Sequence, residues 1–305
     1  MEKKRTMGLV TVTGSYVLWG LLPVFWSLLS GVNSVYILAQ RILWSMVFMG
    51  LFLLVTRGWG EILAALKNRR ILGLSLICGV LITLNWGVYI YAVNSGHVLD
   101  ASMGYFIEPV LVAVVGLLVF REKPTLAEKL TFCCAAAGVV FLILRTGSVP
   151  TLALLIAAPF AFYGAVKKNL PLSAQASLFM ETLCMVPFAL LFAKWWESQA
   201  GGVSGVLHGA AFWLLPACGV VTSVPMLLFN LGVKEVPYYF VGILMYINPT
   251  LQFLMGLFCF HEAMDLNRFL AFAIIWVGLI LMMGEKLFLI RKENQAAGEP
   301  ISPER

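Results

Sequence analysis

Polar residues are confined to short breaks between long apolar runs. Ten of those runs fall at 8–29, 35–55, 71–93, 101–120, 126–144, 149–166, 173–193, 211–231, 238–260 and 267–289. Crossing about 30 Å of hydrocarbon takes roughly 20 apolar residues in a helix, so each run is predicted to span a membrane. The runs are continuous and do not alternate apolar with polar over about ten positions, which argues against a barrel. The breaks leave no room for a soluble domain. The first run follows Lys3, Lys4 and Arg5 and ends in PVFWSLL without a small-residue cleavage site. It is therefore expected to stay as a helix and not to be removed as a signal. Residues 290–305 read as a cytoplasmic tail, disordered by composition.

A second pattern lies inside the first. Residues 92–142 and 232–282 align at a fixed offset of 140 without a gap, with 12 identities in 51 positions. The matches include Pro109 with Pro249, Gly116 with Gly256, Phe120 with Phe260, Glu122 with Glu262, and Gly138 with Gly278. Shared hydrophobicity alone does not match Pro, Gly and Glu. A duplicated bundle is a common build of secondary transporters. Ten helices divide into two fives, 8–144 and 149–289, and an odd number makes the second five enter from the opposite side. The expected fold is all-α, ten transmembrane helices as two inverted five-helix repeats, with alternating access as the mechanism. A weaker match sets Trp19-Gly20 against Tyr163-Gly164 at an offset of 144. Pro109 and Pro249 are expected inside helices four and nine. Each removes a backbone donor and frees a carbonyl, either bending its helix round a cavity or fitting it to a neighbour.

Composition agrees with a membrane protein: 61% of the 305 residues are hydrophobic and 12% are charged. The formal charge of +6 matters less than its distribution. With both termini placed in the cytoplasm, 17 of the basic residues fall on the inner side, and Arg145, Lys194 and Arg268 on the outer side. That asymmetry sets the orientation and makes a bacterial inner membrane the expected location. No basic, aromatic-interleaved stripe lies outside the runs, so the lipid bilayer is expected as a partner and nucleic acid is not. The six cysteines all fall in predicted spans without metal-ligand spacing, and packing is their expected role. A GVSG stretch at 202–205 followed by His208 resembles a nucleophile motif but lies in a Gly-rich loop. No catalytic or cofactor-binding motif stands out, and neither an enzyme nor a cofactor is expected.

Ionisable groups in the apolar interior cost about 2.5 to 3.5 kcal/mol each on insertion scales, so they face a partner or a wet cavity. Arg41, Glu108 and Glu181 lie roughly 9 to 12 Å along their predicted helices, at 1.5 Å per residue. Glu108 precedes the kinking Pro109 and is a candidate ion or proton site, or else the ion-pair partner of Arg41. Glu181 is a candidate gate, or else a structural pair with Lys167 or Lys168. Around them lie Gln40, Asn85, Trp86, Tyr89, Tyr105, Tyr163, Asn230, Tyr246, Asn248 and Gln252. Asn85 and Tyr89 share a helix face, and Asn248 and Gln252 repeat that spacing in helix nine. The offset of 140 sets Asn248 against Glu108. Amides and phenols at one depth suit a small amphipathic solute, or they bond helix to helix.

Several of these segments carry a resemblance. The segments 40–45 QRILWS, 85–95 NWGVYIYAVNS, 101–109 ASMGYFIEP, 160–168 FAFYGAVKK, 181–187 ETLCMVP, 222–229 TSVPMLLF, 245–254 MYINPTLQFL and 272–276 FAIIW resemble the RarD-type permeases. These belong to the EamA family of the drug/metabolite transporter superfamily. The resemblance runs from about residue 8 to 290 and implies a ten-helix inner-membrane carrier with a central site between its halves. It also implies a link to chloramphenicol sensitivity in the family's naming. Arg41, Lys167 and Glu181 fit the family pattern, whereas Glu108 stands where that pattern has Asn. The expected function is a secondary carrier of a small organic solute or drug, with protons as the candidate coupling ion. A non-transporting lipid-handling, sensory or scaffold protein is the alternative.

Overall fold

The computed structural model describes residues 2–121, 125–200, 209–233, 235, 241 and 244–298. They form helices α1 (Glu2–Ser27), α2 (Ser34–Val55), α3 (Trp59–Lys67), α4 (Arg69–Asn94), α5 (Val98–Phe120) and α6 (Leu126–Thr146). Then follow α7 (Thr151–Lys167), α8 (Ala174–Gln199), α9 (Ala211–Gly232), α10 (Ile247–Phe258) and α11 (Leu266–Gly298). Among the described residues, eight helices are long and apolar enough to cross a membrane, and the apolar α7, with 17 residues, is shorter. The ninth expected span, 238–260, falls partly outside the described residues and is represented by α10. Glu122, residues 202–205 and His208, which entered the sequence reading, also lie outside them.

Local chemistry sets the helix ends. Asn33 accepts from the amides of Val35 and Tyr36 to start α2, and Asn68 accepts from Arg70 and Ile71 to start α4. Thr125 and Glu128 form a reciprocal capping box at the start of α6. Gly147 ends that helix with φ at 69°, a left-handed conformation in which a side chain would be strained.

Three features depart from the sequence reading. The break after the second span holds the nine-residue α3, too short to register as a span. Its Ile62 is fully buried and its Trp59 ring meets Phe179 edge-on at 5.3 Å. Pro249 is not deep inside a helix but in the first turn of α10, after a turn at Met245 and Tyr246. Lacking an N–H for the Met245 carbonyl, it opens the backbone there and is tolerated where a helix begins. Residues 290–298 of the expected tail continue α11, because Arg, Lys, Glu, Gln and Ala are good helix formers even in a polar stretch.

Compactness groups the chain into two units, Met1–Val119 with Thr151–Ala263, and Phe120–Pro150 with Met264–Arg305. Each unit draws helices from both halves of the sequence. The larger has a core around Trp26, Tyr36, Ile37, Tyr89, Ile90 and Ile156. Its outer surface carries exposed Leu51, Leu54, Leu118, Leu191 and Leu231, as expected where lipid replaces water. Glu262, beyond the end of α10, accepts hydrogen bonds from the first amides of α5, those of Val98 and Leu99. Nearby, Ser102 of α5 donates to the Pro249 carbonyl at 2.9 Å.

The smaller unit is the α6–α11 pair. A Cβ at Gly138 would come within 3.0 Å of the Ala271 carbonyl oxygen, and one at Gly278 within 2.7 Å of Cys134 Cβ. These two glycines are the offset partners of the sequence, and each lets the other helix approach. Thr131 donates to the Gly278 carbonyl at 2.7 Å, and Thr125 to Glu285 at 2.6 Å.

Candidate functional site

Two polar clusters occupy the larger unit, and they differ in how far their bonds are satisfied. The first joins α7 to α8. Tyr163 and Lys167, one turn apart, present one face of α7, while Ser177 and Glu181 do the same on α8. Glu181 is fully buried, yet its carboxylate accepts from Lys167 Nζ at 3.1 Å, from Ser177 Oγ at 2.5 Å and from Tyr163 OH at 3.1 Å. Lys167 Nζ also contacts the Tyr163 hydroxyl. Of the alternatives open for Glu181, an ion pair with Lys167 is therefore made. The α4 backbone crosses close by: a Cβ on Gly79 would stand 2.7 Å from the Glu181 carbonyl oxygen. Small size at position 79 thus lets α4 and α8 meet beside the cluster.

The second cluster surrounds Arg41 of α2. The residue is 4% exposed, and its guanidinium lies over the rings of Trp86 of α4, 3.9 Å from the centroid, and Trp26 of α1, at 5.0 Å. Its Nε donates to Thr222 Oγ1 of α9 at 3.0 Å. Its Nη1 has no hydrogen-bond partner. Tyr89, one turn beyond Trp86, meets Tyr105 of α5 edge-on at 5.5 Å.

Glu108 is 6% exposed, and its Oε2 is buried without a partner. Among the described residues Arg41 and Glu108 do not form the ion pair that the sequence left open, whereas Lys167 and Glu181 do form theirs. The hydroxyls of Tyr89 and Tyr246 and the Oε1 of Gln252 are likewise buried and unpartnered. Buried polar groups are ordinarily satisfied, so these atoms stand out, as do Trp26 Nε1, Ser75 Oγ and Ser223 Oγ among the described residues.

Other candidates already have hydrogen-bond partners within the protein. Asn85 Nδ2 donates to the Ile156 carbonyl at 2.8 Å, which ties α4 to α7. Gln252 Nε2 donates to Asn248 Oδ1 at 2.7 Å within α10. Gln40 joins a ladder in which it donates to Tyr36 OH at 2.9 Å and accepts from Trp44 Nε1 at 3.1 Å, while Tyr36 OH donates to Glu197 at 2.7 Å. Sequence reasoning passed over Trp26, Ser177 and Thr222. Ser177 stands one turn before Glu181, a spacing that pointed to it, and Thr222 opens the TSVPMLLF segment. Nothing in the local sequence singles out Trp26.

Known proteins share this build. Residues 6–144 and 148–284 each match the EamA-like transporter family. The chain is 37% identical over 294 residues to protein RarD of Streptomyces exfoliatus, covering 96% of this chain and 93% of that one. It is 40% identical over 280 residues to uncharacterized transporter YojE of Bacillus subtilis, covering 90% and 92%. Protein RarD of Escherichia coli K12 is 30% identical over 296 residues, covering 97% of this chain and all of that one. A solved structure described as a crystal structure of protein superposes with a TM-score of 0.59 at 17% identity, covering 91% and 97%, and shares the fold. With its apolar helices and these bacterial relatives, the molecule is a multi-pass bacterial membrane protein and a transporter by family. The chain belongs to the EamA-like transporter family, among its RarD-type permeases.

Proposed function

We propose that this permease is a secondary carrier that moves a small organic solute across the bacterial inner membrane by alternating access. Its ten spans form two inverted repeats, 8–144 and 149–289, with both termini in the cytoplasm. The cluster around Arg41, Tyr89, Tyr105, Glu108 and Tyr246 receives the solute. Tyr163, Lys167 and Glu181 serve as the inner gate, whose bonds break when that side opens. Glu108 is the coupling group for protons. The observation that carries the reading is the buried Arg41 guanidinium, which lies over two indole rings with Nη1 unbonded. A buried charge without an ion-pair partner costs several kcal/mol by general estimates, so it is kept where a ligand completes it. Basic residues concentrated on one side of the apolar runs support the orientation.

The test uses purified protein in liposomes loaded with a metabolite panel, with and without a pH gradient. Movement of at least one solute is expected, lost in Arg41→Ala and Glu181→Ala. A folded protein that moves nothing across a broad panel, and instead holds one specific lipid or protein, overturns the reading. Undiminished transport after crosslinking the two repeats would remove alternating access.

A further inference from the structure

The end of the larger unit where α2 turns into α3 and then α4 carries a surface that transport by the Arg41 cluster leaves unused. With 3.6 residues per turn, the nine residues of α3 divide into stripes. Ile62 and Ala65 face the protein and are buried, while Leu63 and Leu66 lie beside them and are exposed. Gly60, Ala64 and Lys67 form a further exposed stripe, small or charged. An apolar stripe between a buried one and a polar one suits a helix lying along a membrane surface, with acyl chains on one flank and water on the other. The end of α2 continues that apolar face through exposed Leu51, Leu54 and Val55.

Four cations lie in this short helix or flank it: Arg57, Lys67, Arg69 and Arg70, all exposed. Among the described residues none of their side chains meets an acid. Glu61, the one carboxylate in the stretch 56–72, uses both oxygens on the amide and hydroxyl of Ser173. Three of the four cations stand where local structure disfavours them. The helix α2 ends in a Schellman turn, in which Gly58 N–H donates to the Leu53 carbonyl at 2.8 Å and Arg57 N–H to that of Leu54 at 3.3 Å. Arg57 holds the left-handed position of that turn, with φ at 58°, which glycine ordinarily fills. Arg69 and Arg70 open α4, where the positive end of the helix repels a cation. Residues kept against local preference point to a partner outside the chain.

We infer that this face holds the headgroup of an anionic phospholipid, whose acyl chains run along Leu63, Leu66 and the end of α2. An acidic soluble protein would match the charges and leave the leucines in water. A zwitterionic lipid would cover the leucines and bring no net charge to the cations. An anionic lipid answers both, and guanidinium groups take its phosphate through paired N–H donors.

Thermal unfolding of the purified full-length protein in neutral detergent is followed as phosphatidylglycerol, or phosphatidylcholine with the same chains, is titrated in. Phosphatidylglycerol is expected to raise the midpoint at lower concentration than phosphatidylcholine. One cation near an anionic surface is worth about five-fold in affinity, so Arg69→Gln with Arg70→Gln should weaken the anionic lipid roughly 20-fold. Lys129→Gln with Lys194→Gln removes the same charge from α6 and α8 and should change the affinity less than about two-fold. Arg57→Gly keeps the turn, so its lipid-free midpoint should match or exceed that of the wild type while the lipid binds roughly five-fold more weakly. Equal loss in the two double variants would reduce the effect to net charge and overturn the site. Protection by glycerol phosphate as strong as by the lipid would make the ligand a free anion and overturn it too. Protection by poly-glutamate without protection by phosphatidylglycerol would give the face to an acidic protein. No difference between the two lipids would remove the anionic headgroup. None of these measurements reads transport, so each of those failures leaves the carrier standing.

Discussion

Glu108 and Glu181 are both carboxylates buried well inside helices of the larger unit, and they have opposite surroundings. Glu181 receives three donors from Lys167, Ser177 and Tyr163, whereas Glu108 keeps an oxygen that nothing answers. A charge in an apolar interior is stabilised by good geometry and a full set of hydrogen bonds. The first carboxylate therefore acts as a bolt between α7 and α8. The second ties no helix to another through its Oε2, which has no hydrogen-bond partner. The distinction is one of satisfaction, not of burial, since the two are excluded from solvent almost equally.

The largest effect that would break the comparison is at the bolt. Glu181→Ala leaves Lys167 and Tyr163 facing each other without an acceptor, and it should cost about 3 to 5 kcal/mol of stability. Replacing the pair together, as in Lys167→Met with Glu181→Leu, should recover most of that stability without recovering transport. Equilibrium unfolding in mixed micelles, read beside liposome uptake, separates the two quantities. A smaller effect is expected at Asn85, whose amide bonds the Ile156 carbonyl. Asn85→Ala should cost about 1 to 2 kcal/mol while leaving relative preference among solutes unchanged, which a competition assay measures. Preference that shifts would put Asn85 in the binding site after all. The smallest effect on stability is expected at Glu108. Glu108→Gln keeps the shape and removes the charge, so the unfolding free energy should move by less than about 1 kcal/mol in either direction. Its uptake should stop responding to an imposed pH gradient. Uptake that still follows the gradient in Glu108→Gln would take proton coupling away from this residue.

The helices were legible because their signal is collective. Twenty apolar residues in a row need no partner to be recognised, and α2, α6 and α7 begin within two residues of their predicted starts. The short α3 was not legible, since nine residues with a Glu and a Lys look like a connecting loop. What makes it a helix end in the fold is tertiary: Glu61 accepts from the amide and the hydroxyl of Ser173, the residue that caps α8. The Lys167–Glu181 pair could be weighed from sequence because both residues sit close to a shared turn. Arg41 could be named but its surroundings could not. Trp26, Trp86 and Thr222 reach it from three different helices, and no spacing along the chain encodes that convergence. Asn85 and Gln40 show the converse limit. Residue type marks a polar side chain as unusual in a span, but only coordinates show that a carbonyl or a tyrosine has already claimed it.

The grip of Glu262 on the first two amides of α5 has a mechanical consequence. Amide groups at the start of a helix have no partner of their own within it, and here they are met by a side chain from the far half of the sequence. Pulling α5 away from the chain after α10 at this end costs on the order of 2 kcal/mol in charge-assisted bonds, even where water reaches them. Any rocking that leaves the knot tied must carry both strands of it as one lever, so Glu108 and Tyr246, borne on the two sides of that lever, travel together.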